Sequence, residues 1–202
     1  YLVRFLSNKN KYWANSLLKV YINPKKNLIS KSYKDNNRYK NTIIRLGLKR
    51  ISKNNYVQAK NYLDKSKKYY ALSDKFYNEL LEEIFIFGLK SNQKNIFNDK
   101  DFSSYQSKNI YFNLAAANYA IYNSDWNKIL YFISAFPPSI ANEEKWIYWK
   151  GKALYKLNKE DYNLTLKKLS RKRSYYGFLS AHILNKKIKI ENIPFEASAE
   201  SL

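Results

Sequence analysis

The 202-residue chain contains no cysteine, one histidine, four glycines and four prolines. The absence of cysteine excludes disulfides and cysteine-based metal centres, and the single histidine, His182, cannot build a multi-histidine site. So few glycines and prolines argue against an all-β fold, which needs many turns, and favour helices joined by short polar loops. No apolar run approaches the roughly 20 residues of a membrane-crossing helix. We therefore expect an all-α protein with no transmembrane segment and no cysteine-based or multi-histidine metal site.

The formal net charge is +21, from 37 Lys and Arg residues against 16 Asp and Glu residues. Such an excess favours an acidic partner, which is a nucleic acid, an anionic membrane or a carboxylate-bearing polymer. An AT-rich genome also produces this composition. Lys, Asn, Ile, Tyr and Phe are all abundant in the chain, and their codons are rich in A and T. The positive charges are scattered along the chain rather than confined to one run, and this favours the compositional explanation.

Three segments share a pattern of helix, polar turn and helix, with turns at residues 52–55, 123–125 and 158–161. An aromatic residue follows each turn and a small residue lies nine positions before each aromatic, and the pairs are Tyr56 with Gly47, Trp126 with Ala117, and Tyr162 with Ala153. We interpret each pair as an aromatic ring packed close to a small residue. The aromatics lie 70 and 36 residues apart, near two periods and one period of the roughly 34-residue repeats of tetratricopeptide-like helix pairs. The pattern predicts an α-solenoid of antiparallel helix pairs, with a divergent copy between Leu81 and Phe97.

The most specific pattern lies between Lys145 and Leu184, where an aromatic cluster on one helix precedes a short helix and a Tyr-Tyr-Gly-Phe-Leu segment. It resembles the end of the superhelical domain of the soluble lytic murein transglycosylases, which are periplasmic enzymes that cut the glycan strands of bacterial peptidoglycan. Upstream, Asp125-Trp126 and Phe136-Pro137 resemble the preceding hairpin of that family. The residues that carry the resemblance are Trp126, Trp146, Tyr148, Trp149, Ala153, Leu154, Arg173, Tyr175, Tyr176, Gly177, Phe178, Leu179 and Ala181.

The resemblance implies a superhelical helical-repeat domain over residues 1–185 and the start of a helical linker domain at 186–202. Residues 22–40 are polar and contain Pro24, so we expect a loop-like segment or a poorly formed helix there. The resemblance also implies a periplasmic location, a peptidoglycan partner, and a lysozyme-like catalytic domain C-terminal to the linker. That domain is a glycan-cleaving lyase and carries a Glu-Ser pair and a Gly-rich G-A-x-G-L-x-Q segment, which has no counterpart in this sequence. We therefore expect a non-catalytic domain that positions the enzyme on the murein glycan and is inactive alone.

Two other functions remain open. The first is a stand-alone tetratricopeptide-like scaffold that binds a partner protein, and the second is a nucleic-acid-binding helical repeat with steeply salt-dependent affinity. We expect peptidoglycan as the partner of this chain, and we do not expect a nucleic acid. The coding sequence that follows Leu202 would discriminate between the first alternative and the transglycosylase.

We expect no catalytic, cofactor-binding or metal-binding residue in this chain. Glycan cleavage needs a carboxyl group whose pKa is raised, and the acidic pairs have simpler explanations as parts of helix faces and helix starts. Trp146 and Trp149 are expected to fill the core, with Trp149 buried between hairpins. The residues considered for chemistry and assigned structural roles are Glu82, Glu83, Glu143, Glu144, His182 and the terminal dipeptide Glu200-Ser201.

Overall fold

In the computed structural model, the described residues are 8–31, 37–105 and 107–187, and within them the chain forms α-helices and one 3-10 turn without any strand. The chain divides into two compact units, Tyr1–Asn123 and Ser124–Leu202. The sequence suggested one domain over residues 1–185, whereas the division falls inside the polar turn at residues 123–125. Packing in a helical repeat is mostly between neighbouring helices, so the sequence pattern continues across such a boundary.

The helices of the first unit are α1 (Asn8–Ile22), α2 (Pro24–Asn27), α3 (Asn37–Ser52), α4 (Tyr56–Tyr70), α5 (Asp74–Lys90), α6 (Lys100–Ser104) and α7 (Ile110–Tyr122), with the 3-10 turn Ile96–Asn98 before α6. The helices of the second unit are α8 (Trp126–Ser134), α9 (Pro138–Ala141), α10 (Glu144–Lys156), α11 (Asp161–Leu169) and α12 (Tyr175–Ile183).

The polar turns begin helices in the expected way at two of the three sites. The side chain of Asn55 accepts a hydrogen bond from the backbone N–H of Gln58 at the start of α4, and Asp125 accepts one from Lys128 at the start of α8. Both satisfy N–H groups that have no partner within the helix. At the third turn, Asn158 instead ends α10 with a left-handed φ of 53°, a conformation that Asn tolerates better than most residues.

In the first unit, α3 packs against α1, α4 and α5, and α5 also packs against α4 and α7. The prediction that Gly47 makes room for Tyr56 is wrong. A Cβ atom on Gly47 would lie 2.6 Å from Cδ1 of Leu28 and 3.0 Å from Cγ1 of Val20. Tyr56 packs against Gly88 instead, where a Cβ atom would lie 3.0 Å from the Tyr56 Cβ. The nine-residue spacing therefore links residues of two different helix interfaces, because one helix packs against several neighbours.

Within residues 22–40, where the sequence predicts a loop or a poorly formed helix, Pro24–Asn27 forms the short helix α2, which the Asn23 side chain caps, and α3 begins at Asn37. The divergent repeat copy has a full first helix, α5, but only the 3-10 turn Ile96–Asn98 and the short α6 follow it. Residues 32–36, and the expected linker from residue 188 onward, lie outside the described residues.

The buried hydroxyl of Tyr70 at the end of α4 fixes the chain after α2. It lies 3.0 Å from the carbonyl oxygen of Leu28 and accepts a hydrogen bond of 2.8 Å from the backbone N–H of Ser30. Leu28 is fully buried in the core of this unit. One side chain thus connects two segments about 40 residues apart in sequence.

Replacing Tyr70 by Phe should lower the free energy of unfolding by about 1–3 kcal/mol, because the buried Leu28 carbonyl loses the hydroxyl that pairs with it. Urea unfolding followed by circular dichroism measures this loss. The matched control is Tyr122→Phe, which removes a hydroxyl from a tyrosine that is mostly exposed. A loss in Tyr70→Phe no larger than that of the control would contradict the connection.

Candidate functional site

The motif that carried the family resemblance forms the core of the second unit. α10 packs against α8, α11 and α12, and α11 packs against α12. Tyr148 is buried at the centre with Leu166 and Leu169, and Trp149, Tyr176 and Leu179 pack against this cluster. The rings of Tyr148 and Tyr176 lie 5.5 Å apart, so the two halves of the motif meet directly. The motif is therefore a packing arrangement between α10 and α12.

The two tryptophans of α10 differ in burial. Trp146 is 3% exposed and meets Phe136 edge-on, with 4.8 Å between the ring centroids. Trp149 packs against the core cluster but is half-buried, whereas the sequence predicts that it is buried between hairpins. Lys152, three residues later, lies on the same side of the helix, and its Nζ is 4.8 Å from the centroid of the Trp149 ring. Neighbours at this spacing share a helix face, so Lys152 partly covers Trp149 and keeps that face polar.

The remaining motif residues differ in how far they are buried. Ala153, Leu154 and Ala181 are buried, and Trp126 is half-buried at the first position of α8. Tyr175 and Phe178 are exposed on α12, and Arg173 is exposed just before it. The ring of Tyr175 still contacts that of Tyr176.

Gly177 permits a close approach between α12 and the end of α11. A Cβ atom on Gly177 would overlap the carbonyl oxygen of Lys172 and would lie 3.0 Å from that of Leu169. Both obstacles are backbone atoms, which cannot turn away as a side chain would. Ser174 caps α12 by accepting a hydrogen bond from the Gly177 N–H.

Glu82 holds the segment before α7 against α5. Its carboxylate accepts hydrogen bonds from the hydroxyls of Tyr105 (3.1 Å) and Ser107 (2.6 Å) and from the side-chain amide of Asn109 (2.5 Å). Burial and the Glu82 charge raise the pKa of Tyr105 to about 12. These contacts give the carboxylate a structural role.

Glu83 has the raised pKa that a general acid requires, and burial is its main cause. However, Arg45 of α3 lies 3.2 Å from the Glu83 carboxylate and 3.4 Å from that of Glu79, one turn earlier. The guanidinium opposes the rise in pKa. The arrangement is an ion-pair cluster between α3 and α5.

The acidic residues at the start of α10 have the structural role that the sequence predicts for acidic residues at a helix start. Glu143 is exposed at the N-cap, and Glu144 lies in the first turn. Hydrogen bonds from Ser174 and from Lys172 lower the pKa of Glu144, whose carboxylate is 3.0 Å from the Lys172 Nζ. An ionised carboxylate cannot donate the proton that glycan cleavage needs.

His182 is exposed on α12, and Glu200 lies outside the described residues. Within the described part of the chain, no group of three His, Asp or Glu side chains is placed to hold a metal ion.

An open pocket of about 530 Å³ lies on the second unit. Ile147 and Leu169 provide apolar walls, and Lys168 and Lys172 lie around them. The Lys172 ammonium group is paired with the Glu144 carboxylate, so the pocket does not present two unpaired cations to a ligand. Sequence reasoning missed this pocket, because its lining residues come from α10, α11 and the segments next to them, which only the folded chain brings together.

Trp146→Ala should lower the free energy of unfolding by about 3–5 kcal/mol, as for other buried large aromatics. Trp149→Ala should cost less, about 0.5–3 kcal/mol, because its ring is already partly in water. Urea unfolding of both variants, with the exposed Tyr175→Ala as control, checks this order. Equal losses for the two tryptophans would contradict the difference in burial.

Gly177→Ala should destabilise the protein, since the added methyl group meets two backbone carbonyl oxygens. Inside an ordinary helix the same change stabilises by about 1 kcal/mol, because alanine has the higher helix propensity. The sign of the change in unfolding free energy therefore distinguishes the two situations. His182→Ala, at an exposed position of the same helix, serves as control, and a Gly177→Ala variant more stable than the parent would rule out the close approach.

Comparison with known proteins bears on the fold. No protein-family model matches the chain, and no curated protein matches it. Among solved structures, the chain is similar to the X-ray structure of an inactive mutant of the lytic transglycosylase Slt from Pseudomonas aeruginosa, with a TM-score of 0.68 and 18% sequence identity. The similarity covers 98% of this chain and 33% of that one, so the chain spans about a third of the length of that structure. Among the described helices, none has both the length and the apolar character to cross a membrane. The predicted resemblance and the all-α solenoid class are thus confirmed, and the chain has a lytic transglycosylase-like fold.

Proposed function

We propose that the chain is the non-catalytic superhelical domain of a peptidoglycan lytic transglycosylase and that it positions the enzyme on the murein glycan in the periplasm. The observation that carries this proposal is the likeness of nearly the whole chain to one third of the lytic transglycosylase Slt. On this proposal, the chain is one part of a larger enzyme whose activity resides in another part.

The placement of the glycines supports a non-catalytic role. All four, at positions 47, 88, 151 and 177, lie inside helices. The Gly-rich segment that the family resemblance associates with catalysis therefore has no counterpart among them. The carboxylates support the same proposal, because Glu82 accepts three hydrogen bonds, Glu83 is paired with Arg45, and Glu144 is held in its ionised form.

The charge of the chain suits a peptidoglycan partner. Its net charge of +21 would attract the carboxylates of peptidoglycan stem peptides through long-range electrostatics. Such attraction speeds encounter and aids orientation more than it adds affinity.

The test is to incubate the purified chain with isolated cell-wall sacculi, and to measure both the release of anhydro-muropeptides and the fraction of chain that sediments. We expect no release, and we expect weak retention that falls as salt rises, because exposed charges are screened over about 10 Å at 0.1 M ionic strength.

Release that is abolished by changing Glu82, Glu83, Glu143, Glu144 or Glu200 to Gln would contradict the non-catalytic role. Retention that does not respond to salt would exclude charge as the cause of binding. Absence of retention at low salt would remove the positioning role from this part of the enzyme.

A further inference from the structure

Two tyrosines of α7 differ from the other exposed tyrosines of the described chain. Tyr111 is 67% exposed and Tyr122 is 72% exposed, and among the described residues neither ring contacts another ring or a cation. The other exposed tyrosines of the described chain each have such a neighbour, and they are Tyr12, Tyr21, Tyr131, Tyr155 and Tyr175. Large apolar surface left in water without an intramolecular partner is a common mark of a binding surface.

Both tyrosines line the same open groove, which has a volume of about 370 Å³ and lies between α7 and the end of α5. Ala115 and Asn118 also line it, so that positions 111, 115, 118 and 122 form one stripe along α7. At 1.5 Å per residue, the two tyrosines are about 16 Å apart along the helix axis. Leu89 and Leu114 make the groove partly apolar, and Lys90 and Asn92 supply polar groups from the α5 side.

The opposite wall of the groove is held in place by the rest of the unit. The hydroxyl of Tyr119 donates a 2.8 Å hydrogen bond to the carbonyl oxygen of Gln93. The side chain of Gln93 in turn accepts a hydrogen bond from the N–H of Tyr56 and donates one to the carbonyl oxygen of Ser52. The turn that carries Asn92 is therefore tied to α3, α4 and α7, and a ligand would not have to order it.

We propose that this groove binds a glycan strand of peptidoglycan, an inference that rests on the proposed function. A pyranose ring presents C–H groups on its faces and hydroxyl or amide groups at its edge. Tyr111 and Tyr122 offer flat rings for the faces, and Asn92 and the tyrosine hydroxyls offer hydrogen bonds for the edge. Two rings about 16 Å apart along a helix would contact separate sugars of one strand.

The charge of the groove favours a glycan over a nucleic acid. Among the described residues that line it, Lys90 is the single cation and none is acidic. A nucleic-acid groove needs several cations along the phosphate backbone, since most of its affinity comes from the neutralised phosphates. One cation suits a strand that carries an isolated carboxylate, such as the lactyl group or the stem peptide of muramic acid.

The experiment measures binding of two soluble probes by titration calorimetry, a neutral β-1,4-linked N-acetylglucosamine hexamer and an uncross-linked peptidoglycan strand. The double variant Tyr111→Ala/Tyr122→Ala should lose at least about tenfold in affinity for both probes. The variant Tyr111→Phe/Tyr122→Phe should keep most of the affinity, because stacking needs the ring and not the hydroxyl. Tyr175→Ala, at a tyrosine that is 70% exposed, should bind as the parent does.

A second comparison separates the contribution of charge. Lys90→Ala should weaken binding of the peptidoglycan strand and leave the neutral hexamer unaffected, whereas Lys94→Ala, at an exposed lysine outside the groove, should change neither. Unchanged melting temperatures would show that these surface variants are folded.

Equal affinity of the parent and the double alanine variant for both probes, or no binding of either probe by the parent, would overturn the groove as a glycan site. A single-stranded oligonucleotide that binds in its place, and is lost in the double variant, would also overturn it. Retention of the parent on sacculi in any of these cases would leave the proposed function standing, so the two failures are distinguishable.

Discussion

Close contact between helices at glycine positions is the constraint on which the rest of this structure depends. None of the four glycines has a positive φ, so none serves as a flexible turn. At each of them, the space that a Cβ atom would fill is already occupied by another part of the chain. The left-handed turns are formed by other residues, which are Ala71, Asn92, Asn95, Ser124, Asn158 and Asn185.

This use of glycine explains why the most specific sequence motif is structural. Gly151 on α10 lies against Leu166 of α11, and Gly177 on α12 lies against the carbonyl groups of residues 169 and 172. With these approaches in place, Tyr148 and Tyr176 meet in the core and leave only part of Trp149 exposed. The most specific sequence motif is therefore explained by helix packing in the second unit.

Much of this architecture could be predicted from the sequence because its signals are local. Helical periodicity and capping residues such as Asn55 and Asp125 identify helix starts without knowledge of the fold. The partner of a small residue could not be predicted in the same way. Gly47 and Tyr56 are close in sequence, yet they face different neighbours, and only the assembled helices decide which faces meet.

The groove on α7 shows a similar limit. The spacing of Tyr111 and Tyr122 could be read from the sequence, but tyrosines at helical spacing are more often covered by a neighbouring helix. Their exposure became evident only in the structure. The half-burial of Trp149 could not be predicted from the sequence either, because it depends on the Lys152 side chain that lies over its ring.

The dependence of helix packing on close contact at glycine is tested most directly by a double-mutant cycle between Gly151 and Leu166, measured as free energies of unfolding. If the contact sets the approach of α10 and α11, Gly151→Ala destabilises the parent. Together with Leu166→Ala, it should cost at least about 0.5–1 kcal/mol less than the sum of the two single changes, because the smaller residue makes room for the added methyl group. Additive losses, or a Gly151→Ala variant more stable than the parent by the roughly 1 kcal/mol that helix propensity alone provides, would contradict it.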